Sequence, residues 1–137
     1  MIQNTVSSIN LFLDINGQSK IPCQLKRHLS PKTVGLITRS IPLRGNAHCI
    51  SESSVYMETA IDSGIERKRT DFKMGDIAFF PIEGSIFFYI KDVSESKPMT
   101  PIGKIVSDIE KLKQIKSGDL LSPVSYTHLT LPTTPYV

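Results

Sequence analysis

The sequence predicts a mainly β domain in which an antiparallel sheet closes into a barrel and two α-helices cap it. Short apolar segments separated by turn residues recur along the chain, whereas only two segments show helical spacing. The elements follow the order hairpin, helix, several strands, second helix and the start of a last strand. Two isolated helices among many strands are typical of a closed sheet whose ends are covered.

Composition narrows the class of protein. The chain has 137 residues, of which 39% are hydrophobic, so we expect one domain with a real core. A formal charge of +3 is too small to predict nucleic-acid binding. No apolar run approaches the roughly 18 residues of a membrane span, and the first residues lack the pattern of a signal peptide. We therefore expect a cytoplasmic protein in which Cys23 and Cys49 are free thiols.

The first hairpin has the clearest local signal. Apolar and polar residues alternate over 9–15, and Asn16-Gly17 follows, the pair favoured where both turn residues need positive φ. Residues 21–25 then return as the second strand. A helix begins at Ser30-Pro31, because serine can cap free N–H groups and proline costs no hydrogen bond at the first helical position.

The middle of the chain predicts the core strands. Residues 77–81 and 85–90 are two near-continuous apolar runs that contain four of the six phenylalanines. The charged segment 65–72 is interpreted as a solvated connection, and 93–100 as a polar loop. A strand over 102–106 precedes the second helix, which a capping box of Ser107 and Glu110 begins and Gly118 ends.

The last fifteen residues differ sharply from the rest. Residues 123–137 contain no charged side chain and three prolines, and they resemble the conceptual translation of a transposon-type sequencing adaptor. We therefore expect a domain over 1–122 whose final strand is truncated, followed by a non-native tail over 123–137. The native C-terminus would then be missing.

Three segments carry a family resemblance. The hairpin followed by Ser30-Pro31-Lys32-Thr33 resembles the start of the cyclophilins. Residues 84–90 resemble the cyclophilin strand with Gly-Ser-Gln-Phe-Phe-Ile, and 102–106 resemble the Phe-Gly-Lys-Val-Val segment. The order and places also agree, and the closest resemblance is to a compact bacterial and archaeal cyclophilin-like family of largely unassigned function. It implies the cyclophilin-like β-barrel with two capping helices.

The resemblance also implies site residues. Phe88 matches the phenylalanine of the cyclophilin proline pocket, and Tyr56-Met57 corresponds to a Phe-Met pair of that pocket. Aromatic and methionine side chains on strands are also ordinary core residues, so a packing role is the alternative for all three. The catalytic arginine of the cyclophilins would fall near Ile50-Ser51, where the chain has none. Arg44 is the nearest polar candidate for the groove.

These residues favour a binding module whose apolar groove takes a peptide or a small molecule without covalent chemistry. A weak or divergent prolyl isomerase using the same groove is the first alternative, which the missing arginine disfavours. A non-catalytic subunit that associates through a strand edge is the second. No motif predicts a cofactor, and His48-Cys49 does not predict a metal, because neighbouring strand residues point to opposite faces. We expect no nucleic-acid or membrane partner.

Overall fold

A computed structural model describes residues 8–125, which form ten strands and two helices. The strands β1 to β10 are Ser8–Ile15, Ser19–Lys26, Gly45–Asn46, His48–Ile50, Ser54–Glu58, Arg69–Phe72, Asp76–Phe80, Ser85–Tyr89, Val93–Ile105 and Leu120–Ser125. The helices α1 and α2 are Pro31–Ser40 and Ile109–Lys113. The predicted mainly β composition with two helices is confirmed. Within these residues no helix is long and apolar enough to cross a bilayer.

The sheet is open, so the predicted closed barrel is wrong. Nine strands follow the order β3-β10-β1-β2-β9-β7-β8-β5-β4, and β6 pairs with β9 beside this path. The end strands β3 and β4 have only two and three residues, and Ala47 alone separates them. Its N–H donates to Asp119 O at 2.7 Å, and its carbonyl accepts from Gly118 N–H at 2.9 Å. The backbone groups of Ala47 therefore bond to the segment before β10, and no ladder joins the end strands β3 and β4.

The first hairpin is confirmed, and a late strand extends it. Asn16 and Gly17 both have positive φ, 55° and 71°, and Gln18 N–H donates to Ile15 O at 2.9 Å. On its other side β1 pairs with β10 as far as Ser125. Strand β10 therefore includes the first three residues of the segment 123–137. Residues 126–137 lie outside the described residues, and the non-native origin of the segment stays a prediction.

Two segments expected to be irregular form a paired arm instead. Arg69–Phe72 is strand β6, and it pairs with the first half of the 13-residue strand β9. The polar composition of these two segments hides the strands, because only a few side chains, Phe72 and Met99, bury one face of the arm. Further along β9, a Cβ at Gly103 would lie 2.1 Å from Gln24 O, so only glycine allows β9 to pair so closely with β2.

The start of α1 is capped differently from the prediction. Ser30 occupies the N-cap position, but its hydroxyl donates to Pro101 O at 2.7 Å and caps nothing. Glu66, from the loop before β6, accepts instead from Lys32 N–H at 2.9 Å and from Thr33 N–H at 2.8 Å. A carboxylate 33 residues away in sequence thus supplies the acceptors that the first helical turn requires.

Helix α2 is shorter than predicted. Asp108 is its N-cap residue and has a left-handed φ of 60°, with no side-chain cap hydrogen bond, so the capping box of Ser107 and Glu110 does not form. The helix ends at Lys113, five residues before Gly118. Leu112 is fully buried and fixes the helix on the sheet.

The sheet separates two apolar clusters. The larger lies under α1 and α2, and its largest fully buried residues include Leu13, Ile21, Val34, Ile37, Met57, Ile77, Phe79, Ile102, Leu112 and Leu121. The smaller is aromatic and lies under the β6–β9 arm. Its members are Phe72, Ala78, Phe80, Phe87, Tyr89 and Met99.

Candidate functional site

The structure does not bring the three candidate groove residues together. Phe88 on β8 and Met57 on β5 belong to the larger cluster and are 2% and 0% exposed. On β5, Tyr56 lies between Met57 and Val55, the residue that pairs with Phe88. Its side chain packs against the aromatic cluster on the other face of the sheet. Adjacent strand residues point to opposite faces, so Tyr56 cannot share a groove with the other two.

The space beside Phe88 is nearly filled. A cavity of about 10 Å³ lies there, lined by Phe88, Ile37 of α1 and six further apolar or proline residues. That volume holds at most one water molecule. Ligand contact by Phe88 and Met57 stays a prediction, and their placement favours packing.

Arg44 does not line the space beside Phe88. It is exposed in the connection between α1 and β3, and within residues 8–125 it makes no hydrogen bond or ion pair. Tyr56 instead stacks between His48 and Phe87, with ring centroids 4.9 and 4.8 Å apart. Arg44 therefore adds no charged group to the space beside Phe88, although its neighbour Gly45 lies against Met57.

The aromatic cluster is held together by ring stacking. Phe72 stacks on Tyr89 with ring centroids 4.8 Å apart, and the Tyr89 hydroxyl donates to Glu95 at 2.7 Å. Burial, this hydrogen bond and nearby carboxylates raise the pKa of the Tyr89 phenol. The ring stack locks the β6–β9 arm onto the sheet.

An open cavity of about 470 Å³ lies between the β4–β5 hairpin and the segment at the end of α2. We call it the hairpin cavity. Val55 and Ile115, both buried, and Ile90, partly buried, give it an apolar floor. The full lining is Cys49, Ser51, Glu52, Val55, Met74, Ile90, Lys91, Lys113 and Ile115.

Local geometry holds the walls of the hairpin cavity in place. Ser51 adopts a left-handed φ of 50° in the β4–β5 turn, and Ser53 O accepts from Ile90 N–H at 2.8 Å. On the other side, Cys49 N–H donates to Ser117 Oγ at 3.2 Å. The hairpin is thus bonded both to the end of β8 and to the segment after α2.

The rim of the hairpin cavity carries unpaired charge. Lys91 and Lys113 are exposed, and within residues 8–125 neither ammonium forms an ion pair or hydrogen bond. Glu52 is the one carboxylate in the lining and is also exposed. The site therefore offers two free cations and one free anion above an apolar floor.

The two thiols have different surroundings. Cys49 lines the hairpin cavity, and its Sγ–H donates to Ile115 O at 3.5 Å. Cys23 is 1% exposed inside the larger cluster, and burial, only partly offset by a hydrogen bond from the Leu13 backbone to the sulfur, raises its pKa to about 12. Both cysteines are free, as predicted.

A second cavity of about 720 Å³ lies beside the β6–β7 turn and shares Met74 with the first. Its three aspartates are engaged. Asp76 accepts from Lys73 N–H and pairs with Arg69 at 3.7 Å, while Asp92 accepts from Met74 N–H at 2.9 Å. The third, Asp71, accepts from Ser94 Oγ. The carboxylates of this second cavity therefore mainly hold the turn in place. The second cavity is for this reason the weaker candidate for a ligand site.

Sequence reasoning missed the hairpin cavity, although one signal pointed to it. The position where the resemblance places the cyclophilin arginine, Ile50-Ser51, lies at this hairpin, and Ser51 lines the cavity. No arginine is among the described residues that line it. The sequence pattern does not link Lys91 with Lys113, because the two lysines lie on separate segments. The part of the chain described here contains no cluster of groups placed to hold a metal.

The sheet order, the two helices and the cavity at the hairpin end define a small open antiparallel β domain with a candidate ligand site at that end. The chain belongs to the cyclophilin-like family, whose model matches residues 9–122. No curated protein matches it.

Two solved structures share the fold. The hypothetical protein AF2241 from Archaeoglobus fulgidus superposes with a TM-score of 0.72 at 18% identity, over 87% of this chain and 95% of that one. McbB, solved in complex with tryptophan, superposes with a TM-score of 0.69 at 14% identity. That match covers 93% of this chain and 46% of McbB. At these identities the likeness concerns the fold alone.

Proposed function

We propose that this protein is a non-catalytic binding module that takes a small molecule with an apolar body and a carboxylate in the hairpin cavity. The observation that carries the proposal is the pair of unpaired lysines, Lys91 and Lys113, above the floor of Val55, Ile90 and Ile115. Small-molecule sites commonly combine an apolar lining with a few placed polar groups, and a volume of about 470 Å³ lies in their usual range.

Charge favours a carboxylate ligand. A carboxylate bonded to an ammonium forms a charge-assisted hydrogen bond, and the two lysines outnumber the single Glu52 in the lining. An apolar ring system against Val55 and Ile115 would add the hydrophobic contribution. The tryptophan bound by the structural neighbour McbB combines these two features, so indole compounds are suitable probes.

The alternatives have less support. A prolyl isomerase of the cyclophilin kind needs an arginine at the groove, and neither the lining of the hairpin cavity nor that of the small space at Phe88 contains one. Association through a strand edge is poorly served by end strands of two and three residues, since short edges offer few free backbone groups.

A fluorescence titration tests the proposal. The chain has no tryptophan, so indole emission reports on the probe alone. We expect saturable binding of indoleacetate and weaker binding of neutral indole. Lys91→Gln and Lys113→Gln should each weaken indoleacetate binding about tenfold, the loss expected for one charge-assisted hydrogen bond. Lys68→Gln, an exposed lysine in the loop before β6, is the matched control and should change nothing.

Two outcomes would reject the proposal. Equal affinity for indole and indoleacetate would remove the role of the lysines. Acceleration of prolyl isomerisation by the folded protein would replace the binding module by the enzyme alternative, and because uncatalysed exchange takes tens of seconds or more, even modest catalysis is visible.

A further inference from the structure

Two arginines converge over Gly35 of α1, and neither of them lines the hairpin cavity. Arg27 lies in the turn between β2 and α1, and Arg39 lies in the last turn of α1. A Cβ built on Gly35 would lie 3.3 Å from Arg39 Nη1 and 4.0 Å from Arg27 Nη1. Both guanidinium groups therefore lie against the same point of the helix surface.

The helix geometry explains this convergence. Side chains of a helix lean toward its N-terminus, so Arg39 reaches back over the residue four positions earlier, which is Gly35. A glycine inside a helix costs about 1 kcal/mol relative to alanine. Here the missing side chain leaves the shallow space that the two guanidinium groups occupy.

Neither guanidinium has an acceptor in residues 8–125. Arg27 Nε is buried and lacks any hydrogen-bond partner, and no ion pair involves Arg27 or Arg39. Glu66, the carboxylate bound to the first turn of the same helix, spends its oxygens on Lys32 and Thr33. Two neighbouring cations, one of which has a desolvated and unpaired donor, are unfavourable unless an anion neutralises their charge and accepts their hydrogen bonds.

We propose that Arg27 and Arg39 form a binding site for a phosphate group over Gly35. Guanidinium groups form paired hydrogen bonds with oxyanions, and a phosphate carries between one and two negative charges at neutral pH, which matches two arginines. Its oxygens also point in several directions, as donors arriving from two different elements require. The guanidinium nitrogens nearest Gly35 are Arg39 Nη1 and Arg27 Nη1, and these are the donors that a bound phosphate would contact.

Titration with inorganic phosphate and with phenyl phosphate tests the site, at constant ionic strength so that charge screening is equal throughout. The arginine Nε–H resonances in a nitrogen-15 spectrum report directly. We expect a saturable shift of the Arg27 signal. Binding of both probes would show that the phosphate group itself is recognised, and binding of phenyl phosphate alone would show that the ligand is a phosphate ester.

Variants locate the site. Arg27→Gln and Arg39→Gln should each weaken phosphate binding about tenfold or more, and Arg44→Gln, an exposed arginine elsewhere, should not. Gly35→Ala keeps both charges but places a methyl group against Arg39, so it should weaken binding without loss of folding. No saturable shift, or equal affinity in Arg27→Gln, Arg39→Gln and Arg44→Gln, would overturn the proposal. Neither result bears on indoleacetate binding in the hairpin cavity.

Discussion

A single carboxylate, that of Glu66, joins the loop before β6 to the first turn of α1. Partial burial opposes its ionisation. The hydrogen bonds from Lys32 N–H, Thr33 N–H and Thr33 Oγ1, with the charge of Lys32, outweigh this and lower the pKa of Glu66. The charged form is therefore the one that the native structure stabilises.

Glu66→Gln should lower the free energy of unfolding at neutral pH by about 1 kcal/mol, as for the loss of an N-cap. Because the folded pKa is depressed, this contribution is fully present above the unfolded value of about 4.3 and is lost as pH falls through the folded pKa. Urea unfolding of both proteins at a series of pH values measures it. The exposed Glu83→Gln is the control, and a difference between wild type and Glu66→Gln that does not shrink in acid would contradict the account.

The two thiols should react very differently in the native protein. Cys49 borders the hairpin cavity, whereas Cys23 is buried and its pKa is raised to about 12. The thiolate is the reactive form, so iodoacetamide at about pH 8 should modify one thiol in the folded chain and two after denaturation. Mass spectrometry identifies the site. Modification of native Cys49→Ser would show that Cys23 is accessible and that the burial described here is incorrect.

At the scale of elements, the sequence predicts the features that depend on neighbouring residues. It does not predict those that depend on residues distant in the chain. Asn16-Gly17 predicts its turn because positive φ is a property of those two residues alone. The arm of β6 and β9 was missed because its strands are stabilised by each other and by Phe72 and Met99, which composition alone does not reveal. The cap on α1 was assigned to Ser30 for the same reason, since Glu66 reaches it from another loop.

The candidate groove residues failed to converge for a related reason. A family motif identifies Phe88 and Tyr56 by type, but only the register of β5 against β8 decides which face each occupies. Lys91 of the hairpin cavity lies in the segment after β8 and Lys113 is the last residue of α2, and no sequence pattern links the two lysines.

The opposite placement of Phe88 and Tyr56 has a measurable consequence. Phe88→Ala should destabilise the protein by about 3–5 kcal/mol, the usual cost of removing a fully buried phenylalanine. Tyr56→Ala should cost less, because Tyr56 is only partly buried at the edge of the aromatic cluster. Thermal and urea unfolding compare the two variants. Near-equal small losses would mean that Phe88 lies in an open groove and not in the core.

At the scale of the whole molecule, the sheet runs from β3 to β4 without closing, although the chain passes directly from one to the other. The sequence predicts closure from the order of elements and from the resemblance to the cyclophilins, whose family model matches residues 9–122. Element order does not determine which strands pair, since β1 pairs with β10 and β2 with β9, and it does not show whether the end strands join. Here Ala47 gives its groups to Gly118 and Asp119 instead.

The open end also places the candidate site. Strand β4 and the segment after α2 face each other across the hairpin cavity, held by Cys49 and Ser117. Binding at this end would need no opening of the packed interior at Phe88, where only about 10 Å³ is free. Val55 and Ile115 belong to the larger cluster, so the surface that we propose binds a ligand lies at the edge of the core.

The most direct test is to map indoleacetate binding by amide chemical shifts in the nitrogen-15-labelled protein. The account predicts saturable shifts concentrated at Ser51, Glu52, Lys91 and Ile115, and their reduction in Lys113→Gln. Shifts concentrated around Phe88 and Ile37 would place the ligand in the interior and contradict the account. Absence of any shift at saturating probe would equally contradict it.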